Sequence, residues 1–383
     1  MYFKFKTCII LVYLLSFTDL TMAQSQKNGI DTDEKGITIA DFLQMSGNWF
    51  IAYRDGISQT QADDEIGITN DHQSAFVLKR SYFTLKKDLN KTYSVRYTMD
   101  LTVDREGPDA GNIETRLKYL YVKAKPNFNS DVFTGNWVEV GMVHTPWLDF
   151  EQKINTYRVQ DNMFIERNRI FNSADFGITY GGNIGPAMDK KFLKEVNGAM
   201  PGKYVSYVVG LFNGGGYSGE ENNNNKVFSG RLSVRPFANK VPQLHISGYF
   251  NIGRGNSEYN PKFNQVLGFI AYTGKQLTLT GQMHSGIGDF RGEYVDENDF
   301  SKAIENDGYS FFGEYKIKKS PLALWARYDS FHLETLDDAN TKRFIGGLSY
   351  TVNKYLRLVL NAEHNNKTSN ENNIYELNLE VSF

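Results

Sequence analysis

Between Tyr93 and Val103 every second residue is apolar: Tyr93, Val95, Tyr97, Met99, Leu101 and Val103 alternate with Ser94, Arg96, Thr98, Asp100 and Thr102. A period of two sends one kind of side chain to each face of an extended strand and does not match the helical repeat. The alternation returns in Leu244, Ile246, Phe250 and Ile252, and again in Leu356, Leu358 and Leu360. It runs through Tyr375, Leu377, Leu379 and Val381 to the terminal Phe383. Sixteen such segments fit the chain, near 42–54, 74–87, 91–104, 113–125, 136–145, 174–181, 203–213, 226–236, 243–253, 263–273, 276–285, 307–317, 321–330, 341–351, 354–364 and 373–383. Each segment with its connection takes about 22 residues, enough for the ~9–11 residues of a tilted membrane strand.

The connections carry a second signal. From the seventh segment on, long ones (214–225, 254–262, 286–306, 331–340, 365–372) alternate with short ones (237–242, 274–275, 318–320, 352–353). Short periplasmic turns and longer external loops mark an up-and-down barrel of an outer membrane. By parity 55–73, 105–112 and 146–173 become external loops one to three, and both termini fall on the periplasmic side. The connection 182–202 is long for a periplasmic turn. A soluble β-sandwich would also show short alternating strands. Against it stand the loop asymmetry, the strand that ends on Phe383, and 360 residues without a domain boundary where a soluble chain would divide. An open sheet of that size would expose edges, which closure removes.

Residues 1–23 have the form of a secretory signal peptide: Lys4 and Lys6, an apolar stretch over 8–17, and Thr21-Met22-Ala23 before the cut. About ten apolar residues are too few to cross the membrane as a helix. Residues 24–41 form a short polar periplasmic tail, and 42–383 the barrel. Cys8 is the only cysteine, so the mature chain offers neither a disulfide nor a thiolate. A formal net charge of -2 excludes a generally basic, nucleic-acid-seeking surface.

The motifs of catalysis fail on inspection. Gly214-Gly215-Gly216-Tyr217-Ser218-Gly219 matches a dinucleotide-binding pattern, but Glu220, Glu221 and four Asn follow it and open no helix for a pyrophosphate. Asp31-x-Asp33 starts like a calcium loop, yet Lys35 and Phe42 stand where oxygen ligands belong. The six histidines lack metal-ligand spacing. Ser285 beside His284 points to the opposite face of its strand, and no nucleophile elbow occurs. No catalytic residue, metal or cofactor is therefore expected.

Residues 139–180 hold two strand-like ends around a 28-residue insert rich in aromatics and in both signs of charge. Folded into a wide barrel, this insert would narrow the lumen and turn Asp149, Glu151, Lys153, Arg158, Asp161, Glu166, Arg167 and Arg169 toward a constricted aqueous path. Arg96, Asp100, Arg231, Arg235, Arg327, Arg357 and Glu376 lie on polar strand faces and are expected to line the pore. Phe383, ending the last strand, is expected to act as an assembly signal.

Three places resemble the phosphate-selective porins of Gram-negative outer membranes, the O and P type. One is Val140-Gly141-Met142-Val143-His144-Thr145-Pro146, followed by Phe164-Ile165-Glu166-Arg167 and Asp175-Phe176-Gly177-Ile178. The second is Leu211-Phe212-Asn213-Gly214 with the later Ser229-Gly230-Arg231-Leu232 and Pro236. The third is the Arg80-x-Tyr82-Phe83 strand and the strand after it. The resemblance implies a 16-stranded barrel, a homotrimer, an inward-folded third loop, and passive uptake of small anions such as phosphate or polyphosphate. Acidic residues interleaved with the basic ones of the insert depart from that pattern. The sequence thus leads to an outer-membrane porin in contact with lipid and folded by the barrel-assembly machinery. The alternative is an outer-membrane barrel enzyme, or an adhesion barrel without an open pore; conductance separates them.

Overall fold

The computed structural model describes residues 43–57, 72–104, 111–127, 130–217, 219–334, 339–367 and 370–383. The expected signal peptide and tail lie outside the described residues, as do most of the first two expected loops.

The alternating segments become β1 (Gln44–Ile57), β2 (His72–Asp88), β3 (Tyr93–Val103), β4 (Ile113–Ala124), β5 (Phe133–His144), β6 (Ala174–Ile184), β7 (Val205–Phe212), β8 (Val227–Val234), β9 (Leu244–Arg254), β10 (Lys262–Thr273) and β11 (Leu277–Ile287). After a small separate ribbon of β12 (Val295–Asp296) and β13 (Asp299–Ala303) come β14 (Glu305–Lys316), β15 (Leu322–Leu333), β16 (Ala339–Thr351), β17 (Leu356–Lys367) and β18 (Asn370–Ser382). Among the described residues, sixteen strands join neighbour to neighbour in antiparallel pairs. The sheet closes where β1 pairs with β18, Ile51 opposite Leu379. Next to that seam Gly47 and Phe383 exchange backbone hydrogen bonds of 2.8 and 3.0 Å, and the Phe383 ring meets Trp49 edge-on at 5.3 Å. Closure leaves no unpaired edge.

Alternation decides which side is which. In β9 the outward Ile246, Phe250 and Ile252 are exposed, whereas His245, Ser247, Tyr249 and Asn251 are buried within the barrel. Apolar outside and polar inside inverts the soluble rule and suits a lipid surround. No described helix is long and apolar enough to cross a membrane, which says nothing of strands.

The short turns are closed by local side chains. Asn90 Oδ1 accepts from the backbone N–H groups of Thr92 and Tyr93, and Asn353 Oδ1 from those of Tyr355 and Leu356, the turn chemistry for which Asn is selected. One expected loop shrinks: β17 and β18 stay paired as far as Lys367 opposite Asn370, so only 368–369 connect them. The ladder is made by backbone groups, and the polar side chains of Asn365, Asn366, Lys367, Glu371 and Asn372 do not interrupt it.

Among the described residues three short helices are not part of the barrel wall: α1 (Leu148–Gln152) and α2 (Phe164–Arg167) between β5 and β6, and α3 (Lys190–Glu195) between β6 and β7. Asp189 caps α3 by accepting from the Phe192 N–H at 3.0 Å.

A candidate solute path through the barrel

Residues 145–173 lie against the inward faces of the wall. Trp147, fully buried, packs on Tyr249 of β9 and Phe269 of β10 at ring distances of 5.9 and 5.4 Å. Phe150, Phe164 and Phe171 extend that apolar cluster toward Phe263, Phe331 and Phe290. Crossing the lumen, the Tyr157 ring stacks on Trp325 at 4.5 Å, and its hydroxyl lies 2.9 Å from Glu314 and Ser349. Burial of several large aromatic side chains, each worth about 1.5–3 kcal/mol, fixes the segment's place.

Charged wall residues pin its backbone. Arg231 Nε donates to Pro146 O at 2.8 Å, Arg327 Nη1 to Asn162 O at 2.9 Å, and Arg357 Nη2 to Thr156 O at 2.6 Å. Asp329 accepts from Arg327 Nε at 2.8 Å, and Glu380 from Arg357 Nε at 2.8 Å. Arg235 donates to Pro242 O and Met200 O at 2.8 and 2.9 Å, and also to Gly202 O. These four arginines depart from the expectation that they line the pore. Arg231, Arg235 and Arg327 are buried, and all four satisfy backbone carbonyls, Arg235 those of the short-end connections and the other three those of 145–173. The connection 185–204 also packs on the insert. Its Ala199 and Met200 enter the same apolar cluster, and Asn197 Nδ2 donates to Lys153 O at 2.9 Å. It supports the insert from the turn end.

The Asp175 and Gly214 motifs meet. The Asp175 carboxylate accepts from the Gly214 N–H at 2.8 Å, and Gly214 takes a positive φ of 118°, a conformation that favours glycine.

The opposite half of the lumen stays polar. Here β2, β3 and β4 present Arg80, Tyr82, Lys86, Arg96, Asp100, Arg116, Tyr119, Tyr121 and Lys123 on inward positions of their ladders. Register shifts add two more cations. Phe50 opposes Arg80 and Ile51 opposes Leu78, leaving Lys79 as the extra residue of a bulge. Thr98 opposes Tyr119 and Met99 opposes Leu117, which leaves Lys118 in the same position. A bulge re-aims side chains that strict alternation would send elsewhere.

Lys118 Nζ donates to Tyr82 Oη at 3.3 Å and lies over the Tyr82 and Tyr217 rings at 4.6 and 5.4 Å. Lys79 donates to Glu376 Oε2 at 2.8 Å, to Asn378 Oδ1 at 3.3 Å and to Gln160 O on the insert. Arg80 pairs with Asp100 at 2.8 Å, and Tyr217 donates to the same carboxylate at 3.1 Å. Arg96 sits 3.1 Å from His144, whose other ring nitrogen lies 2.9 Å from Glu139.

Across from this wall the insert offers Arg158, which reaches Tyr82 Oη at 3.3 Å and lies 4.0 Å from Glu166. Asp161 stands 3.5 Å from Arg167, which also pairs with Glu363. Burial alone would raise the Asp161 carboxyl, but Arg167, Lys79 and Arg158 hold it well below the usual carboxylate range. Asp149 pairs with the half-exposed Lys153. Two expected constriction residues sit elsewhere. Arg169 turns outward to Glu293 of the β11–β14 connection at 3.3 Å. Glu151 is buried behind the insert, accepting from Trp147 Nε1 at 2.9 Å. Burial pushes its carboxyl up to about 7, while Arg327 and the Trp147 hydrogen bond oppose the shift.

No family model matches the chain, and no curated protein matches it in sequence. Solved structures do. The chain is similar to an anion-selective porin from Comamonas acidovorans, with TM-score 0.61 and 10% identity over 89% of this chain and 99% of that one. It is similar to a loop L8 deletion mutant of OmpT, an outer membrane protein of Vibrio cholerae (TM-score 0.58, 11% identity, 89% and 99% covered). The outer membrane channel DcaP of Acinetobacter baumannii also matches (TM-score 0.54, 10% identity, 90% and 99% covered). At these identities the likeness is one of fold.

Proposed function

We propose that this chain is a porin of a Gram-negative outer membrane that passes small hydrophilic anions by passive diffusion, with 145–173 as its constriction. The two bulges carry the reading: each places an extra lysine, Lys79 and Lys118, on the lumen side of the wall facing the insert. Both ammonium groups are largely desolvated and partnered, and a charge so placed acts on a passing ion through the low-dielectric wall far more strongly than a surface charge screened within ~8 Å. Acidic partners such as Asp100, Asp161 and Glu376 temper the field, so the preference is for anions without exclusion of cations. One structural neighbour is an anion-selective porin, which agrees with this reading. Another neighbour is described in a trimer form, which supports assembly of this chain as a homotrimer. We further propose export through the 1–23 signal peptide and folding by the barrel-assembly machinery.

The test is reversal potential in a salt gradient across a planar bilayer. Wild-type channels should reverse on the anion side, and K79Q/K118Q should move toward cations. Inorganic phosphate that reduces the chloride current would extend the reading to phosphate. Absence of conductance would favour a plugged barrel, and an unmoved potential would remove the lysines from the path.

A further inference from the structure

The two ends of the barrel are charged against each other. The seven short-end turns, 89–92, 125–132, 185–204, 235–243, 274–276, 317–321 and 352–355, hold twelve basic and three acidic residues. Every one of them contains a lysine. At the other end the described residues of the connections, 104, 111–112, 213–217, 219–226, 255–261, 288–304 and 334, hold ten acidic and three basic residues. The chain as a whole is nearly neutral at -2, so the separation is one of place and not of composition.

The lysines form a collar and not a patch. Lys91, Lys125, Lys240, Lys275, Lys319 and Lys354 are exposed and follow one another around the whole rim, turn after turn. Beside them stand the exposed apolar and aromatic side chains that end the lipid-facing surface, among them Leu89, Tyr204, Tyr315 and Tyr355. At two turns the pair is in contact: Lys354 Nζ lies 4.6 Å from the Tyr355 ring centre and Lys203 Nζ 5.2 Å from that of Tyr204. Tyrosine settles where hydrocarbon gives way to headgroups, and a lysine next to it reaches the headgroup layer with its stem along apolar surface. A solute would be served by charges inside the lumen, and a docking protein by charges on one side. A continuous ring beside the aromatic rim fits the lipid annulus.

We propose that this collar binds anionic phospholipid headgroups of the leaflet at the turn end and so sets the depth of the barrel in the bilayer. The proposal rests on the membrane-barrel reading above. A basic residue at a membrane surface favours anionic lipid by a factor of about five at moderate salt, and the effect fades within a Debye length.

The test is electron spin resonance of spin-labelled lipids at the boundary of the full-length refolded barrel in phosphatidylcholine bilayers. Spin-labelled phosphatidylglycerol should outcompete spin-labelled phosphatidylcholine by about two- to fivefold, and salt should reduce the ratio. The variant K91Q/K125Q/K240Q/K275Q/K318Q/K319Q/K354Q, checked for heat-modifiable mobility, should bring the ratio near one. A wild-type ratio of one, a ratio indifferent to salt, or an unchanged ratio in the variant would overturn the proposal. Should the ratio be one while isolated cell-wall sacculi capture wild type and not the variant, the collar serves an anionic polymer and the lipid assignment is wrong. Conductance of both proteins is read separately. Loss of current in both with the lipid preference intact would remove the channel and leave the collar.

Discussion

Trp147 holds the insert in the lumen, and its replacement shows how firmly. The side chain is fully buried among Phe150, Tyr249 and Phe269, and its indole N–H is bonded to Glu151. Burying roughly 150–250 Å² of indole is worth about 4–6 kcal/mol at 25 cal/mol per Å². Trp-to-Ala replacements in cores cost a similar ~3–5 kcal/mol. Glu151, left without its donor in an apolar setting, adds about 1–3 kcal/mol. None of the sixteen barrel pairings includes Trp147, so W147A should weaken the docking of 145–173 by two or more powers of ten and leave the barrel closed. The expected readouts are larger or noisier single-channel steps, faster proteolysis within 145–173, and unchanged heat-modifiable mobility. W147F keeps an aromatic ring but loses part of the buried volume and the hydrogen bond, so it should lie between wild type and W147A. Wild-type conductance and protease resistance in W147A would refute the account of how the insert is held.

Four further outcomes follow from the same geometry. The carboxyl of Glu151 is raised from about 4.5 to about 7, so its contribution to docking is fully present at acid pH and is lost as pH climbs through that window. Channel noise should therefore rise between about pH 5 and 7 and be flat in E151Q. In the triple replacement of Arg158, Arg167 and Arg169 by Gln, reversal potential should shift toward cations; R169Q alone should not shift it, because Arg169 turns to Glu293. M200A should cost about 2–5 kcal/mol of local packing and raise current fluctuations from the turn end. Deleting Phe383 removes the two backbone bonds to Gly47 and the contact with Trp49, and should lower the yield of folded protein in the outer membrane; equal yields would exclude it as an assembly signal.

The strands were legible because a half-lipid, half-lumen sheet forces a period of two on every segment, and all sixteen segments have their strand. Lys79 and Lys118 escaped that logic because a bulge breaks the period at the very place where it adds a lumen charge. Alternation also says which residues face inward, not what fills the interior. Arg231 and Arg327 are inward, but whether inward means water or a buried carbonyl depends on where 145–173 runs. The connection 185–204 was conspicuous in length alone. Its purpose rests on Met200 and Asn197 meeting residues some forty positions away.

One strand did announce what covers it. Along β10 the outward Val266 and Ile270 are exposed while Phe263, Leu267, Phe269 and Ala271 face inward and are buried. A strand that is apolar on both faces must be covered on both. On the membrane-barrel reading lipid covers the outer face, and only a segment inside the barrel can cover the inner one. The matching inward positions of β2 and β3 read Arg80, Tyr82, Lys86 and Arg96, Thr98, Asp100, which demand water or partners instead. The closed sheet is thus two half-cylinders: one is the wall of a packed core whose other side is 145–173, and the second is the wall of the proposed solute path. Making the inward face of β10 polar should release the insert as W147A does, whereas making the inward face of β3 apolar should leave the insert in place and change the current it permits.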